Sequence, residues 1–393
     1  MTSLGKRGYS ILKESLSSHE LNDLRRDLTV KPFIHKDFNQ DAVPFPVYCE
    51  SKRKIYLPKF YGIKKYGKPE NTKIDSGTEI DVDFPLSLKE KQVPIVDTYL
   101  KAAHEDGGGI ISVPCGYGKT VIGLYLAHKL KVKTLVVVHK EFLVNQWKER
   151  IAQFLPNAKV GKIQSNVINT KDKDIVIGML QSISMKEYDE SVFSDFGFVI
   201  YDECHHLGAE VFSKALLKTS CKYTLGLSAT PKRNDGLSKV FEWYLGPMVY
   251  SIKKRDLEEV KVKLITYINT DPLYSKEVCG YNNKANSPAM INNICEYEPR
   301  TVMIVNEIFV CLKEKRKILV LSDRRNHLKK IKELLDKQDT YTSGFYLGGM
   351  KPKELEETEE KDVILGTFTM ASEGFDCKYP LNTIFLSSPK SNI

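Results

Sequence analysis

Five short apolar runs punctuate the middle of the chain: GIISVP (109–114), TLVVVH (134–139), DIVIGM (174–179), FGFVIYD (196–202) and TLGLSAT (224–230). Each is continuous rather than alternating, β-branched, and separated from the next by a stretch with helical spacing. Runs of this kind read as strands buried on both faces, and crossover helices between them make the sheet parallel. A second set follows, KILVLS (317–322), GFYLGG (344–349), DVILGT (362–367) and NTIFLSS (382–388), so the chain repeats one α/β architecture. Between the sets, TDPLYSKEVCGYNNKANSPAM (270–290) carries the Asn, Ser, Gly and Pro of irregular structure. Near the start, SSHELNDLRRDL (17–28) has helical spacing, with Ser18 placed to cap it, and ELEETEEKD (354–362) reads as a solvated acidic helix face.

These changes of texture divide the chain into a small accessory region (1–82), a first parallel-sheet domain (83–255), a connecting segment (256–300) and a second, C-terminally incomplete domain (301–393). The accessory region interleaves aromatics with basic residues, as in SKRKIYLPKFYGIKKYGKP (51–69). It is expected to touch nucleic acid or to brace the next domain, the plainer alternative being a basic solvated appendage. At 393 residues and 41% hydrophobic, the chain can fill two cores. No apolar stretch reaches bilayer length and the start MTSLGKRGYSILKES lacks a secretory signal, so the expectation is an intracellular protein with no membrane partner. Its eight cysteines form no C-x-x-C pair, which supports neither a disulfide framework nor a zinc ribbon. The formal charge of +9 is compatible with a polyanionic partner.

Candidate chemistry sits where apolar runs end. SVPCGYGKT (112–120) joins a strand to the helical pattern KTVIGLYLAHKL, and strand, glycine turn and helix in that order make an anion cradle. Gly116 and Gly118 let the backbone approach phosphate, with Pro114, Cys115 and Tyr117 completing the loop. Lys119 supplies the positive charge and the Thr120 hydroxyl a ligand for Mg²⁺. The full phosphate-loop pattern wants Gly at 113, where this chain has Val113. Further on, YDECHH (201–206) ends a buried strand in two carboxylates. Asp202 is placed to hold the metal shell and Glu203 to polarise a water for attack on a γ-phosphate. A zinc site would need converging ligands from elsewhere, and a Cys204–His205 nucleophile pair is hampered by adjacency in the chain.

Taken in order, KEKQ (89–92), VPCGYGKT (113–120), VVVHKEFLVNQW (136–147), GMLQSIS (178–184), DECHH (202–206), GLSATPKRNDG (226–236), KILVLSDRRNHL (317–328) and VILGTFTMASEGFD (363–376) resemble the motif ladder of superfamily 2 helicases over about 300 residues. The resemblance is nearest to the branch of the helicase subunit of transcription factor TFIIH and related phage and bacterial repair helicases. LGPMVYSI (245–252) followed by a β-rich VKVKLITYI (260–268) is how that branch leaves its first motor domain. LTVKP (28–32) and KIYLPKFYGI (54–63) look like helicases of nucleocytoplasmic large DNA viruses, which would put the protein in the host cytoplasm or nucleus, or in a virion.

The resemblance implies two RecA-like domains with ATP and Mg²⁺ between them. It implies that Gln92 reads adenine and that Lys119, Thr120, Asp202 and Glu203 bind and hydrolyse the nucleotide. Ser228 and Thr230, with His206 as neighbour, would couple nucleotide state to strand grip. His139 and Gln181 would lie along a nucleic-acid strand, and Gly374 and Asp376 would reach the nucleotide from the second domain. An Arg-Glu-Asp triplet of that branch is Arg233, Asn234 and Asp235 here, which puts the role of the middle acid in doubt. The family's next motif, Q-x-x-G-R-x-x-R, does not appear before the last residues, IFLSSPKSNI (384–393), and without its arginines slow hydrolysis is expected. The function these observations imply is an ATP-dependent helicase or translocase on DNA. An RNA helicase on the same engine, and a non-catalytic module that binds ATP and nucleic acid, are the alternatives.

Overall fold

The computed structural model describes residues 2–33, 42–208, 210–233, 235–252, 261–280, 285–372, 375, 377 and 379–390. The chain forms two compact units, 1–258 and 259–393.

The first unit opens with a five-stranded sheet of β1 (Thr2–Gly5), β2 (Gly8–Leu12), β5 (Cys49–Glu50), β6 (Lys54–Leu57) and β7 (Asn71–Thr72), in the order β5-β6-β2-β1-β7. A two-stranded ribbon, β3 (Thr29–Val30) with β4 (Phe45–Pro46), and two helices, α1 (Ser18–Asp27) and α2 (Lys59–Tyr66), complete this region. Ser17, not Ser18, caps α1: its hydroxyl accepts from Glu20 N–H while the Glu20 carboxylate accepts from Ser17 N–H. That reciprocal box requires the acid three positions on, and only Ser17 has one.

The main sheet has eight strands: β8 (Gly108–Ser112), β9 (Thr134–Val138), β10 (Val160–Gln164), β11 (Val167–Asn169), β12 (Ile175–Met179), β13 (Phe198–Asp202), β14 (Tyr223–Ser228) and β15 (Met248–Ser251). Their order is β11-β10-β12-β9-β13-β14-β8-β15, parallel except for the β10–β11 hairpin. Its helices are α3 (Val93–Asp106), α4 (Lys119–Leu130), α5 (Glu141–Phe154), α6 (Leu180–Met185), α7 (Glu210–Lys218) and α8 (Ser238–Leu245). The apolar runs are continuous because both faces are covered. Val136, Val138, Ile177 and Ile200 pack with α3, α4 and α5 in one core, whereas Leu135, Val137, Val176, Val199 and Tyr201 join a core that extends into the opening region through Leu4, Tyr9, Ile55 and Leu57.

The opening region is therefore a brace and not a solvated appendage. Tyr244 Oη donates to Val47 O at 2.6 Å, and Lys59 Nζ donates to Gly107 O and Lys222 O at 3.1 and 3.0 Å.

In the second unit a short helix α9 (Pro272–Ser275) precedes α10 (Ser287–Glu296) and α11 (Glu298–Lys313). A four-stranded parallel sheet follows, β16 (Ile318–Leu321), β17 (Ser343–Tyr346), β18 (Val363–Gly366) and β19 (Thr383–Leu386), in the order β17-β18-β16-β19. It carries α12 (Arg325–Leu335), α13 (Pro352–Glu359) and α14 (Phe368–Ser372). Two expectations fail here. Residues 261–268 form no strand, and Val262 and Leu264 stand exposed, because alternation makes a strand only where a partner edge exists. The acidic run does form a helix, but Thr358 and Glu359 turn inward, Thr358 Oγ1 donating to Phe345 O at 2.9 Å.

Candidate nucleotide site

Parallel register brings the chemistry to one edge. β14 sets Ser228 level with Ser112 of β8, and β13 sets Asp202 level with Leu227 of β14. The residues that follow these strands emerge together at the carboxyl edge of the sheet, the place where α/β folds bind ligands.

The loop 113–118 leaves β8 and delivers the chain into α4. Val113, where the full pattern wants glycine, is buried in the core, and its N–H donates to Ser228 O at 3.2 Å, which ties the loop base to β14. Gly116 (φ +85°) opens on free space, and Gly118 (φ +78°) is the residue before the first turn of α4. A Cβ on Gly118 would lie 2.5 Å from Gln92 Nε2, so this glycine is required twice, by its left-handed backbone and by the side chain beside it. Gln92 is 3% exposed; it donates to Tyr117 O and accepts from Lys89 N–H, both at 2.9 Å. Its amide braces the loop from behind. Pro114 and Cys115 lie on the open side, and Thr120 sits on the first turn of α4.

Across from the loop, Lys119 Nζ forms an ion pair with Glu203 Oε1 at 2.8 Å, both side chains largely buried. Glu203 holds a left-handed backbone (φ +48°), a conformation that costs a non-glycine residue about 1–3 kcal/mol and concentrates at functional sites. Burial, with Glu203 as the next cause, raises the Asp202 carboxyl to about 6. Its Oδ1 accepts from Glu203 N–H at 3.1 Å and its Oδ2 from the Trp147 indole at 2.8 Å. Cys204 points away: its Sγ lies 3.0 Å from where a Gly226 Cβ would be, and burial pushes its thiol up, so it packs rather than ligates.

The histidines form the next layer. His205 Nδ1 lies 3.0 Å from Ser228 Oγ and 3.4 Å from Glu203 Oε2, and Ser228 Oγ also accepts from Thr230 N–H at 3.1 Å. His206 packs its ring between His139 and His205, centroids 4.1 and 4.3 Å away. Burial first, then the neighbouring histidine, lowers His206 to about 4 and His139 to about 3, so both rings are neutral. Arg233 donates to His205 O and pairs with Asp235, its Nε donating to Asp235 Oδ1 at 2.9 Å. Gln181 stands exposed on α6, just past β12. Gly374, Asp376 and Asn234 lie outside the described residues.

A family model described as "Type III restriction enzyme, res subunit" matches residues 85–233, the stretch that holds this constellation. A protein of Acanthamoeba polyphaga mimivirus, named as an ATP-dependent RNA helicase, is 36% identical over 403 residues, covering 100% of this chain and 77% of its own length. The chain belongs to the superfamily 2 helicases.

The DNA 3'-5' translocase of the archaeon Sulfurisphaera tokodaii, a second relative of this helicase, is 30% identical over 227 residues, 55% of this chain and 48% of the archaeal protein. The structure of bacteriophage T4 UvsW covers 94% of the chain, and 80% of UvsW is covered in turn, at 15% identity and a TM-score of 0.40. The parallel sheets of the two units are what the two RecA-like domains of superfamily 2 helicases require. Membership carries ATP-dependent helicase activity and nucleic-acid binding as its coarse function. No described helix is long and apolar enough to cross a membrane.

Two residues of this candidate site were not singled out by sequence reasoning. His205, not His206, contacts Ser228, since adjacent side chains leave a turn in different directions and position alone does not tell which faces the neighbouring strand. Trp147 contacts Asp202. Its signal was the polar N–H of a tryptophan at a core position of α5, which obliges a hydrogen-bond partner.

Proposed function

We propose that the chain hydrolyses ATP at this edge and couples the step to movement along DNA. The observation that carries the reading is the 2.8 Å Lys119–Glu203 pair, set beside Asp202 and opening on the phosphate loop. Without nucleotide the Lys119 amine is neutralised by Glu203. An arriving triphosphate competes for that amine with its outer phosphates, while the loop N–H groups and the start of α4 take up phosphate oxygens. Glu203 is thereby freed to orient a water and accept its proton. The water oxygen bonds to the γ-phosphorus, the bond to the bridging oxygen breaks, and ADP and phosphate leave.

The Thr120 hydroxyl and Asp202 carboxylate are hard oxygen donors, and burial with the Glu203 charge outweighs Lys119 in disfavouring the ionised Asp202, so an added cation such as Mg²⁺ fits there. Bound there, the ion would neutralise charge building on the phosphates. Through Ser228 and His205, the occupancy of Glu203 reaches the end of β14 and Arg233, a short route from nucleotide to the rest of the edge. His139 and Gln181 are the side chains assigned to the strand. Gly374 and Asp376 are assigned to the nucleotide on the family pattern.

DNA is favoured by the archaeal relative's printed name and by the TFIIH-like motif series. The mimivirus relative's printed name favours RNA as the second reading. ATP turnover measured with no nucleic acid, single-stranded DNA, duplex DNA and single-stranded RNA decides between them. Stimulation by DNA above RNA supports the proposal; stimulation by RNA alone supports the second reading; no stimulation by any of them removes the coupling claim. Contacts made mostly to phosphate would make the stimulation fall steeply with salt.

A further inference from the structure

We infer that Trp147 is a positioning residue for hydrolysis: its indole N–H, bonded to Asp202 Oδ2 at 2.8 Å, fixes the orientation in which that carboxylate meets the nucleotide-bound metal. The inference rests on Asp202 being the metal-holding acid.

Trp147 is 1% exposed and lies on α5, the helix that begins directly after His139 and Lys140. Its six-membered ring lies against α4, the helix that begins at Lys119: a Cβ on Gly123 would stand 3.2 Å from Trp147 Cη2. Gly123 thus clears the space the indole occupies. The N–H then reaches the end of β13 from behind.

A tryptophan used for packing alone still needs an acceptor, and backbone carbonyls at strand ends are the usual supply. Here the acceptor is the carboxylate. One lone pair of Oδ2 is taken by the indole and one of Oδ1 by Glu203 N–H, so the carboxylate cannot swing and its two remaining lone pairs keep fixed directions. Groups that orient a metal's ligand without touching the metal are worth about 10–100-fold in metal affinity. The same indole joins three parts of the site, the phosphate-loop helix, the acid pair and the helix that follows His139.

The test uses the full chain with Trp243→Phe, which leaves Trp147 as the sole tryptophan. Position 147 is then changed in two ways: Trp147→Phe, and replacement by benzothienylalanine, which keeps the ring shape and loses only the N–H. Binding of a fluorescent ADP analogue is titrated with and without Mg²⁺, and the ¹⁵N-labelled indole signal of the parent is followed by NMR. We expect the Mg²⁺ concentration for half-maximal tightening to rise about 10–100-fold in both variants, while metal-free nucleotide binding is unchanged. The indole signal should move with Mg²⁺ and ADP together and stay in place with ADP and chelator. Equal losses with and without Mg²⁺, or an unchanged Mg²⁺ midpoint in the isosteric variant, would overturn the inference. A parent chain that binds ADP without any response to Mg²⁺ would overturn the hydrolysis reading beneath it as well.

Discussion

The main sheet of the first unit and the central strands β16 and β18 of the second are covered on both faces by apolar side chains, yet the carboxyl edges of the two sheets are furnished differently. The first edge holds charge partly out of water: Asp202 is half-buried, and Lys119 and Glu203 are largely buried. The second carries one comparable acid, Asp323, whose side chain is 18% exposed and pairs with Arg324 at 3.8 Å, while its most deeply buried groups are neutral. Ser322 Oγ lies 3.1 Å from His327 Nδ1, whose ring burial keeps uncharged, Ser387 Oγ donates to Leu321 O at 2.8 Å, and Ser388 Oγ accepts from Asp323 N–H at 2.9 Å. Hydroxyls satisfied by backbone cost little to bury, whereas burying like-charged acids works against folding. Where an α/β sheet keeps such acids at its carboxyl edge, chemistry explains them better than stability does.

The largest effect should separate the two edges. Lys119→Ala and Glu203→Gln are each expected to lower ATP turnover on the order of 10³-fold, the first by removing the phosphate-facing cation, the second by removing the proton acceptor. Nucleotide affinity splits them: it should fall for Lys119→Ala and persist for Glu203→Gln. Steady-state turnover and equilibrium binding of an ADP analogue check both. Either variant turning over like the parent would place the chemistry elsewhere.

The next contrast is between strands. Val137 in β9 is 1% exposed, between two neighbouring strands, whereas Leu386 in the edge strand β19 is 69% exposed. Val137→Lys puts an unpaired ammonium in a core and should cost about 4 kcal/mol or more, enough to threaten folding of the unit. Leu386→Lys changes a surface position and should stay within about 0.5 kcal/mol, with less self-association because an apolar edge strand invites pairing. Denaturant unfolding and light scattering read both.

All nine apolar runs became strands; in seven of them burial on two faces forces continuous β-branched sequence, whereas β17 alternates and β19 leaves Ile384 and Leu386 exposed. The phosphate loop and the acid pair were legible for the same reason, each fixed by the end of such a run. What escaped depended on partners. The opening sheet is built from strands of two to five residues, too short for a period to show, and β10 alternates as an edge-side strand. Residues 261–268 carry the alternation of a strand and form none. Gln92, assigned to adenine by the resemblance, also engages Tyr117 and Lys89 through its amide, a packing fact with no counterpart in spacing.

A second buried charge in the first unit lies at the opposite, amino edge of its sheet, and it supplies a pH test. Lys59 is 5% exposed, and burial lowers its ammonium to about 8 from an ordinary 10.5. Below pH 8 the group is protonated in folded and unfolded chains alike, and the cost of burying it is fully present. Between about 8 and 10.5 the folded chain releases the proton while the unfolded chain keeps it, so stability rises with pH by about 3 kcal/mol in total. Lys59→Met lacks this dependence. The difference in unfolding free energy between parent and variant should therefore shift toward the parent across that window. A constant difference would mean that the two carbonyl acceptors compensate the charge completely.

The smallest effect tests the buried hydroxyls of the second edge directly. Ser387 is 2% exposed, and both its hydroxyl and its N–H donate to Leu321 O, at 2.8 and 2.9 Å. Ser387→Ala removes the hydroxyl but leaves the carbonyl its backbone partner, so no buried acceptor is orphaned and the cost should be about 1 kcal/mol or less. ATP turnover should match the parent under the same nucleic-acid conditions. Loss of turnover from so mild a change would mean that the second edge takes part in the chemistry as directly as Lys119 and Glu203 do, and that buried neutral hydroxyls at a carboxyl edge are no guide to where the reaction lies.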